Sequence, residues 1–308
     1  MKYIKGFTFG FCAPRGSFKQ ERTKESLRQL KERTNISHVI FCLAALQDTA
    51  QSVVVDYNGP HIVGDDELTG MINYAKSLGL KVILKPLVNV RNGTWRAHIN
   101  FFDVDVPCEP KWHEWFASYT AYQCHYAKIA EETGCEMLVV GCEMVQTDRR
   151  ADQWRALISE VRTHYTGLIT YNADKYQEAN ITWWDAVDVI SSSGYYPSGT
   201  WDAELDRIEA VVTQYDKPFF FAEAGCSSKQ GAEMIPNDWS LIGKADMKVQ
   251  ADYYKEMFAK TSDRDWVAGF GLWDWSHKLY DLKDAKKDDD YAVYGKTAEK
   301  VIKRFYAK

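Results

Sequence analysis

The chain has 308 residues, 45% of them hydrophobic and 26% charged, which suits one large α/β barrel with ordinary insertions and excludes a disordered or fibrous protein. A net charge of −5 without clustered Lys or Arg argues against a nucleic-acid partner. No apolar run approaches the roughly 20 residues needed to span a bilayer, so no membrane partner is expected.

Eight short β-rich apolar runs alternate with amphipathic stretches, the pattern of repeated βα units. In chain order the predicted strands and helices are Ile4–Phe11 and Glu21–Arg33, His38–Leu43 and Asp66–Ser77, Lys81–Leu87 and Lys111–Thr133, then Met137–Gly141 and Asp152–His164. Leu168–Asn172 follows, and its connection over Asp174–Asp185 carries the weakest helical pattern. The remaining units are Val187–Ser192 with Asp202–Tyr215, Pro218–Ala222 with Asp246–Thr261, and Val267–Trp273 with Thr297–Tyr306. Several helices open on an Asp that can cap free N–H groups, and SLGL and ETGC each offer a Gly for a left-handed helix stop. Eight such units predict an α/β fold, a (β/α)8 TIM barrel forming a single catalytic domain over residues 1–308. An open doubly wound sheet is the alternative, but neither a GxGxxG nor a Walker loop follows any strand.

The first residues, MKYIKGFTFGF, run straight into charged sequence with no small-residue cleavage site, and the expected location is cytoplasmic. Seven cysteines, an odd number without a CxxC pair, then point to reduced thiols. The sequons at Asn35, Asn92 and Asn180 would stay unmodified there. No cysteine or histidine spacing matches a zinc site and no Gly-x-Ser-x-Gly elbow is present, so neither metal nor cofactor is expected.

Reactive groups in such barrels gather at the C-terminal ends of strands. Glu143 ends the fourth strand in MLVVGCEM, and Glu223 ends the seventh in PFFFAEAG. Strands four and seven face each other across the mouth, so both carboxylates can project into one cleft. Glycoside hydrolysis needs such a pair, one protonated to release the leaving oxygen and one ionised to attack the anomeric carbon; a separation of about 5 to 5.5 Å implies retained configuration. Aromatic residues make up 14% of the chain, with 11 Trp, and several cluster at strand ends: Trp95 beside Arg96, Tyr195 and Tyr196, Trp273 and Trp275. Their flat apolar faces suit the C–H faces of sugar rings. Asn89, Asn172 and Lys85 fall near strand ends and can hydrogen-bond hydroxyls, a turn or supporting role being the alternative for each.

Together GFTFGF, KPLVNVRNGTWR, VVGCEM, YYP, FFFAEAG and GLWDW span Gly6 to Trp275, and through them the chain resembles glycoside hydrolase family 113, the β-mannanases of clan A. The resemblance implies a retaining β-1,4-mannanase acting on β-linked oligosaccharides or polysaccharides. It makes Glu143 the acid/base, Glu223 the nucleophile and Trp273 the platform under the sugar beside the scissile bond. Tyr195 or Tyr196 would hydrogen-bond the nucleophile, with Asn89, Trp95 and Arg96 lining the cleft. Two positions depart from the clan: Cys142 stands where many members have Asn, and Ser193-Gly194 where many have His. These leave another clan A activity (β-mannosidase, xylanase or glucanase) or a non-catalytic carbohydrate-binding barrel as alternatives. Glu223→Gln is expected to abolish turnover with little effect on stability.

Overall fold

The computed structural model describes residues 1–308 as a closed barrel of eight parallel strands in sequential order. The strands are β1 (Ile4–Phe9), β2 (His38–Gln47), β3 (Lys81–Val90), β4 (Met137–Cys142), β5 (Leu168–Ala173), β6 (Val189–Gly194), β7 (Phe219–Ala224) and β8 (Val267–Trp275). Outside them lie α1 (Glu21–Thr34), α2 (Asp65–Ser77), α3 (Trp112–Thr133), α4 (Ala151–Arg162), α5 (Trp201–Tyr215), α6 (Met247–Ser262) and α7 (Thr297–Tyr306). The barrel prediction therefore holds and the open sheet does not. No helix is long and apolar enough to cross a membrane.

β2 and β3 outlast their apolar runs because they pair in register from His38↔Lys81 to Gln47↔Val90, carrying Asn89 above the barrel rim. Between β5 and β6 there is no α-helix, only the short 3-10 turns Glu178–Asn180 and Trp184–Ala186. Large buried side chains cover the barrel there instead: Trp183 stacks on Trp154 of α4 at 4.9 Å, and its indole N–H donates to the Asp148 carbonyl at 2.9 Å. Of the aspartates at helix starts only Asp246 caps with its side chain, accepting from Lys248 N at 2.9 Å. Asp66, Asp152 and Asp202 lie inside the first turn, where a negative charge favours the helix dipole. Both glycine stops form, with φ of 78° at Gly79 and 62° at Gly134.

Inside the barrel, Ile4, Ile40, Ile83, Met137, Val139, Val189, Phe220 and Ala222 form a dry floor. Above it sits a second layer with Cys42, Leu87, Cys142, Tyr195 and Trp273. Strand alternation sends Leu138 and Val140 outward while Met137 and Val139 point in. It then breaks: Gly141 also faces the outer shell, where a Cβ would lie 2.7 Å from Tyr171, and Cys142 turns back inward. The ladder to β5 shifts between Val139 and Cys142, as a bulge requires. β7 repeats the device. Phe221 and Ala224 face outward, the β8 ladder shifts between them, and Ala222 and Glu223 both face inward. A bulge thus precedes or carries each strand-end glutamate and aims its side chain at the barrel axis.

Candidate active site

The mouth of the barrel holds a cavity of about 520 Å³. Its walls come from the ends of seven strands: Phe11 after β1, Asn89 to Arg96 at and after β3, Glu143 after β4, Asp174 after β5, Tyr195 after β6, Glu223 with Asn237 and Trp239 from β7 onward, and Trp273 of β8. Another hollow, of about 560 Å³, lies outside between α5 and α6. Both of its cations are already paired, Lys260 with Asp202 and Arg264 with Glu209, and only two of its eight lining residues are hydrophobic. The barrel mouth, with indole faces beside carboxylates, is the better site.

Glu223 is 5% exposed and held by three donors. Lys85 Nζ and Cys142 Sγ, the latter at 3.3 Å, donate to Oε1, and the Tyr195 hydroxyl donates to Oε2 at 3.0 Å. Burial pushes its carboxyl up, but the charges of Lys85 and Arg96 and the bonds from Lys85 and Tyr195 outweigh that, leaving it below the ordinary carboxylate range. The Tyr195 ring is therefore the strand-six tyrosine that reaches the carboxylate.

Glu143, with φ of 52°, also has three donors. Ser193 Oγ donates to Oε1 at 2.7 Å, while Arg96 Nη1 at 2.8 Å and Trp95 Nε1 at 3.4 Å donate to Oε2. Arg96 is fixed in turn by Asn89 Oδ1 at 3.0 Å and the Val88 carbonyl at 3.2 Å. The two carboxylates are joined beneath the cavity by a continuous hydrogen-bonded chain. Lys85 donates to Asn172 Oδ1 at 2.7 Å as well as to Glu223, and Asn172 Nδ2 donates at 3.0 Å to Ser193 Oγ, which donates to Glu143. Every member has a partner, so the chain sets both carboxylates in one relative position.

Most residues singled out in the sequence meet here: Asn89, Trp95, Arg96, Glu143, Tyr195, Glu223 and Trp273 all line the cavity. Asn172 and Tyr196 do not. Asn172 is wholly buried in the chain just described, and Tyr196 is wholly buried on the outer side, its hydroxyl donating to Glu178 at 2.9 Å. The two tyrosines follow β6 and diverge, Tyr195 packing in the inner layer with Cys142 and Trp273 and Tyr196 in the outer shell against Trp201 and Phe221. Lys85 likewise supports Glu223 from below and does not line the cavity; a lone Lys inside an apolar strand run was its only signal. At the two positions departing from the clan, Cys142 reaches Glu223 and Ser193 bridges to Glu143. Phe11, Asp174, Asn237 and Trp239 also line the cavity, and nothing local in the sequence marked them. Trp239 is 59% exposed, its ring 4.6 Å from Tyr291 and 6.2 Å from Trp273, extending the aromatic wall to the rim.

One group could hold a metal ion, Cys124, Glu160 and His164 on and beside α3 and α4, with donor atoms within 4.8 Å of one another. It lies on the outer helices, and the Cys124 thiol is pushed up to about 11 by burial, which disfavours the thiolate a metal needs.

Comparison with known proteins agrees with this geometry. The Glycoside Hydrolase Family 113 profile matches residues 7–296. A solved GH113 β-1,4-mannanase is 66% identical, with each chain covered completely and a TM-score of 0.99. The GH113 β-mannanase from Alicyclobacillus acidocaldarius is 40% identical, with 100% of this chain and 98% of that one covered and a TM-score of 0.96. A β-glucuronidase from Ruminococcus gnavus, at 14% identity, a TM-score of 0.68 and coverage of 99% of this chain against 50% of its own, shares the barrel alone. Among curated proteins none matches. Because the family match runs through every strand end that builds the cavity, this chain belongs to glycoside hydrolase family 113.

Proposed function

We propose that the protein is a retaining β-1,4-mannanase in which Glu223 is the nucleophile and Glu143 the acid/base. The observation that carries this reading is that Glu223, kept ionised by Lys85, Arg96 and Tyr195, shares one cavity with Glu143. The activity named for the 66% identical relative makes β-1,4-linked mannose the substrate. A carboxylate stripped of water but hydrogen-bonded on both oxygens is positioned to attack without first shedding solvent.

In the first step Glu223 forms a bond to the anomeric carbon as the glycosidic bond breaks, and Glu143 gives its proton to the departing oxygen. In the second Glu143 takes a proton from water, which attacks the same carbon and releases Glu223. Trp273 supports the sugar at the reacting position. Its indole N–H is buried without a protein partner, leaving it free to donate to a sugar oxygen. All seven cysteines are unpaired, which suits a reducing compartment. In the cytoplasm the substrates are imported manno-oligosaccharides.

Incubation with end-labelled mannohexaose, cellohexaose and xylohexaose tests this, with cleavage of mannohexaose alone as the expected result. Cleavage of cellohexaose or xylohexaose in its place makes the protein another clan A hydrolase, and binding without cleavage makes it a carbohydrate-binding barrel.

Lys85→Met is expected to lower kcat/KM about 10- to 100-fold near neutral pH and to move its acid limb upward. Glu223 lies below the ordinary range because Lys85 opposes burial, so the native limb falls only when pH drops through that low value. Without Lys85 burial is less opposed and protonation occurs at higher pH. Stability follows the same sign: a depressed carboxyl stabilises above its unfolded value and loses this as pH falls through its folded value, a contribution the variant lacks. A pH profile with an unmoved acid limb would contradict the assignment.

A further inference from the structure

We infer that Asp174 accepts hydrogen bonds from hydroxyls of the departing sugar and so selects what occupies the leaving-group side of the cavity; this rests on the glycosidase reading above.

Asp174 directly follows β5, lines the cavity and is only 7% exposed. Glu143 and Glu223 each receive three side-chain donors, whereas no side chain donates to the Asp174 carboxylate, which has only the backbone N–H and nearby charge of Lys175. Burial and the nearby charge of Glu143 push this carboxyl up to about 7. A largely desolvated carboxylate without a side-chain donor costs folding free energy, so its place at the cavity wall points to a further partner that the free protein lacks. Sugar hydroxyls are such donors, and a carboxylate binds them more strongly than a neutral acceptor does.

Which sugar it meets follows from its place. β5 adjoins β4, with Glu143 N donating to the Asn172 carbonyl at 2.8 Å, and the strongest carboxylate charge acting on Asp174 is that of Glu143. Asp174 therefore stands on the Glu143 side of the carboxylate pair. In double displacement the nucleophile faces the anomeric carbon and the acid faces the oxygen of the leaving group. The sugar beside Glu143 is thus the one that departs.

Asp174→Asn keeps the shape and removes the charge, and Asp174→Ala removes the acceptor altogether. Both are assayed on mannohexaose, whose leaving group is a sugar, and on 2,4-dinitrophenyl β-mannobioside, whose leaving group has no hydroxyls and needs no proton. The expected result is a kcat/KM on mannohexaose lowered about 10- to 100-fold, more for Ala than for Asn, with the aryl substrate changed by less than about twofold. Thermal melting at pH 8 should give a Tm for Asp174→Asn no lower than wild type, since an unpaired buried charge has gone; a structural role would lower it. Equal losses on both substrates, or unchanged activity on mannohexaose, overturn the assignment of Asp174 alone. A wild type inactive on both substrates overturns the glycosidase reading and the Asp174 assignment with it.

Discussion

Glu223→Ala is expected to cut hydrolysis of manno-oligosaccharides by at least about 10⁴-fold, because it removes the carboxylate that forms the covalent intermediate. Azide can occupy the space that the side chain leaves. With 2,4-dinitrophenyl β-mannobioside as substrate, azide then attacks the face opposite the leaving group, and the product expected is the α-glycosyl azide. Detection of the β-glycosyl azide would assign Glu223 the other role. The structure also alters the stability expected of this position. From the sequence alone, Glu223→Gln is neutral for folding. In the structure Lys85 is 0% exposed and its ammonium pairs with Glu223, so Glu223→Ala leaves a buried cation without its counter-charge. Breaking such a pair costs about 3 to 5 kcal/mol. Gln retains an oxygen that can accept from Lys85 and should lose less. A Glu223→Ala Tm equal to wild type would show that Lys85 is not held as an ammonium by this carboxylate.

The second large effect is at Glu143, and it depends on the leaving group. Glu143→Ala should lower kcat/KM on mannohexaose about 10³-fold, within the range that a positioned general acid contributes. Dinitrophenolate leaves without a proton, so the first step on the aryl substrate is spared. The second step lacks its base, and rapid-quench kinetics should show a burst of dinitrophenolate followed by slow turnover. Azide should relieve the slow step and yield the β-glycosyl azide, the opposite anomer to that from Glu223→Ala. An equal loss on both substrates would remove Glu143 from the acid role. Stability should change less than at position 223. Arg96, its charged neighbour, keeps its bonds to Asn89 and the Val88 carbonyl and reaches the cavity, where water can replace the lost acceptor.

The cationic support of Glu223 has a further consequence. Asn172, wholly buried, accepts from Lys85 and donates to Ser193, so the residues that orient the nucleophile also orient the acid/base. Ser193 and Cys142, the two departures from the clan pattern, are both members of this arrangement. At both positions the side chain contacts one of the protein's own carboxylates, Cys142 reaching Glu223 and Ser193 reaching Glu143.

Hydrophobic period, turn residues and the spacing of strand ends are local properties, and they made the barrel, the seven helices and the placing of Glu143 and Glu223 at the ends of β4 and β7 legible in the residues alone. Two left-handed stops, at Gly79 and Gly134, were equally legible because only the residue type matters there. Other features depend on residues distant in the chain, and tertiary structure alone decided them. Lys85 and Glu223 are 138 residues apart, and Arg96 and Glu143 are 47 apart. No period predicts that a buried lysine will find its counter-charge across a barrel. Bulges in β4 and β7 reset the alternation just where function needs it, so inward and outward faces could not be counted along the strand. Tyr196 and Asn172 are kept from the cavity by tertiary contacts, one by its bond to Glu178 on the outer side and the other by capture in the hydrogen-bonded chain. Asp174 lines the cavity directly after β5, and the connection beyond it forms short turns packed by Trp183 and Trp184 in place of a helix, a packing of distant indoles that is written in no local pattern.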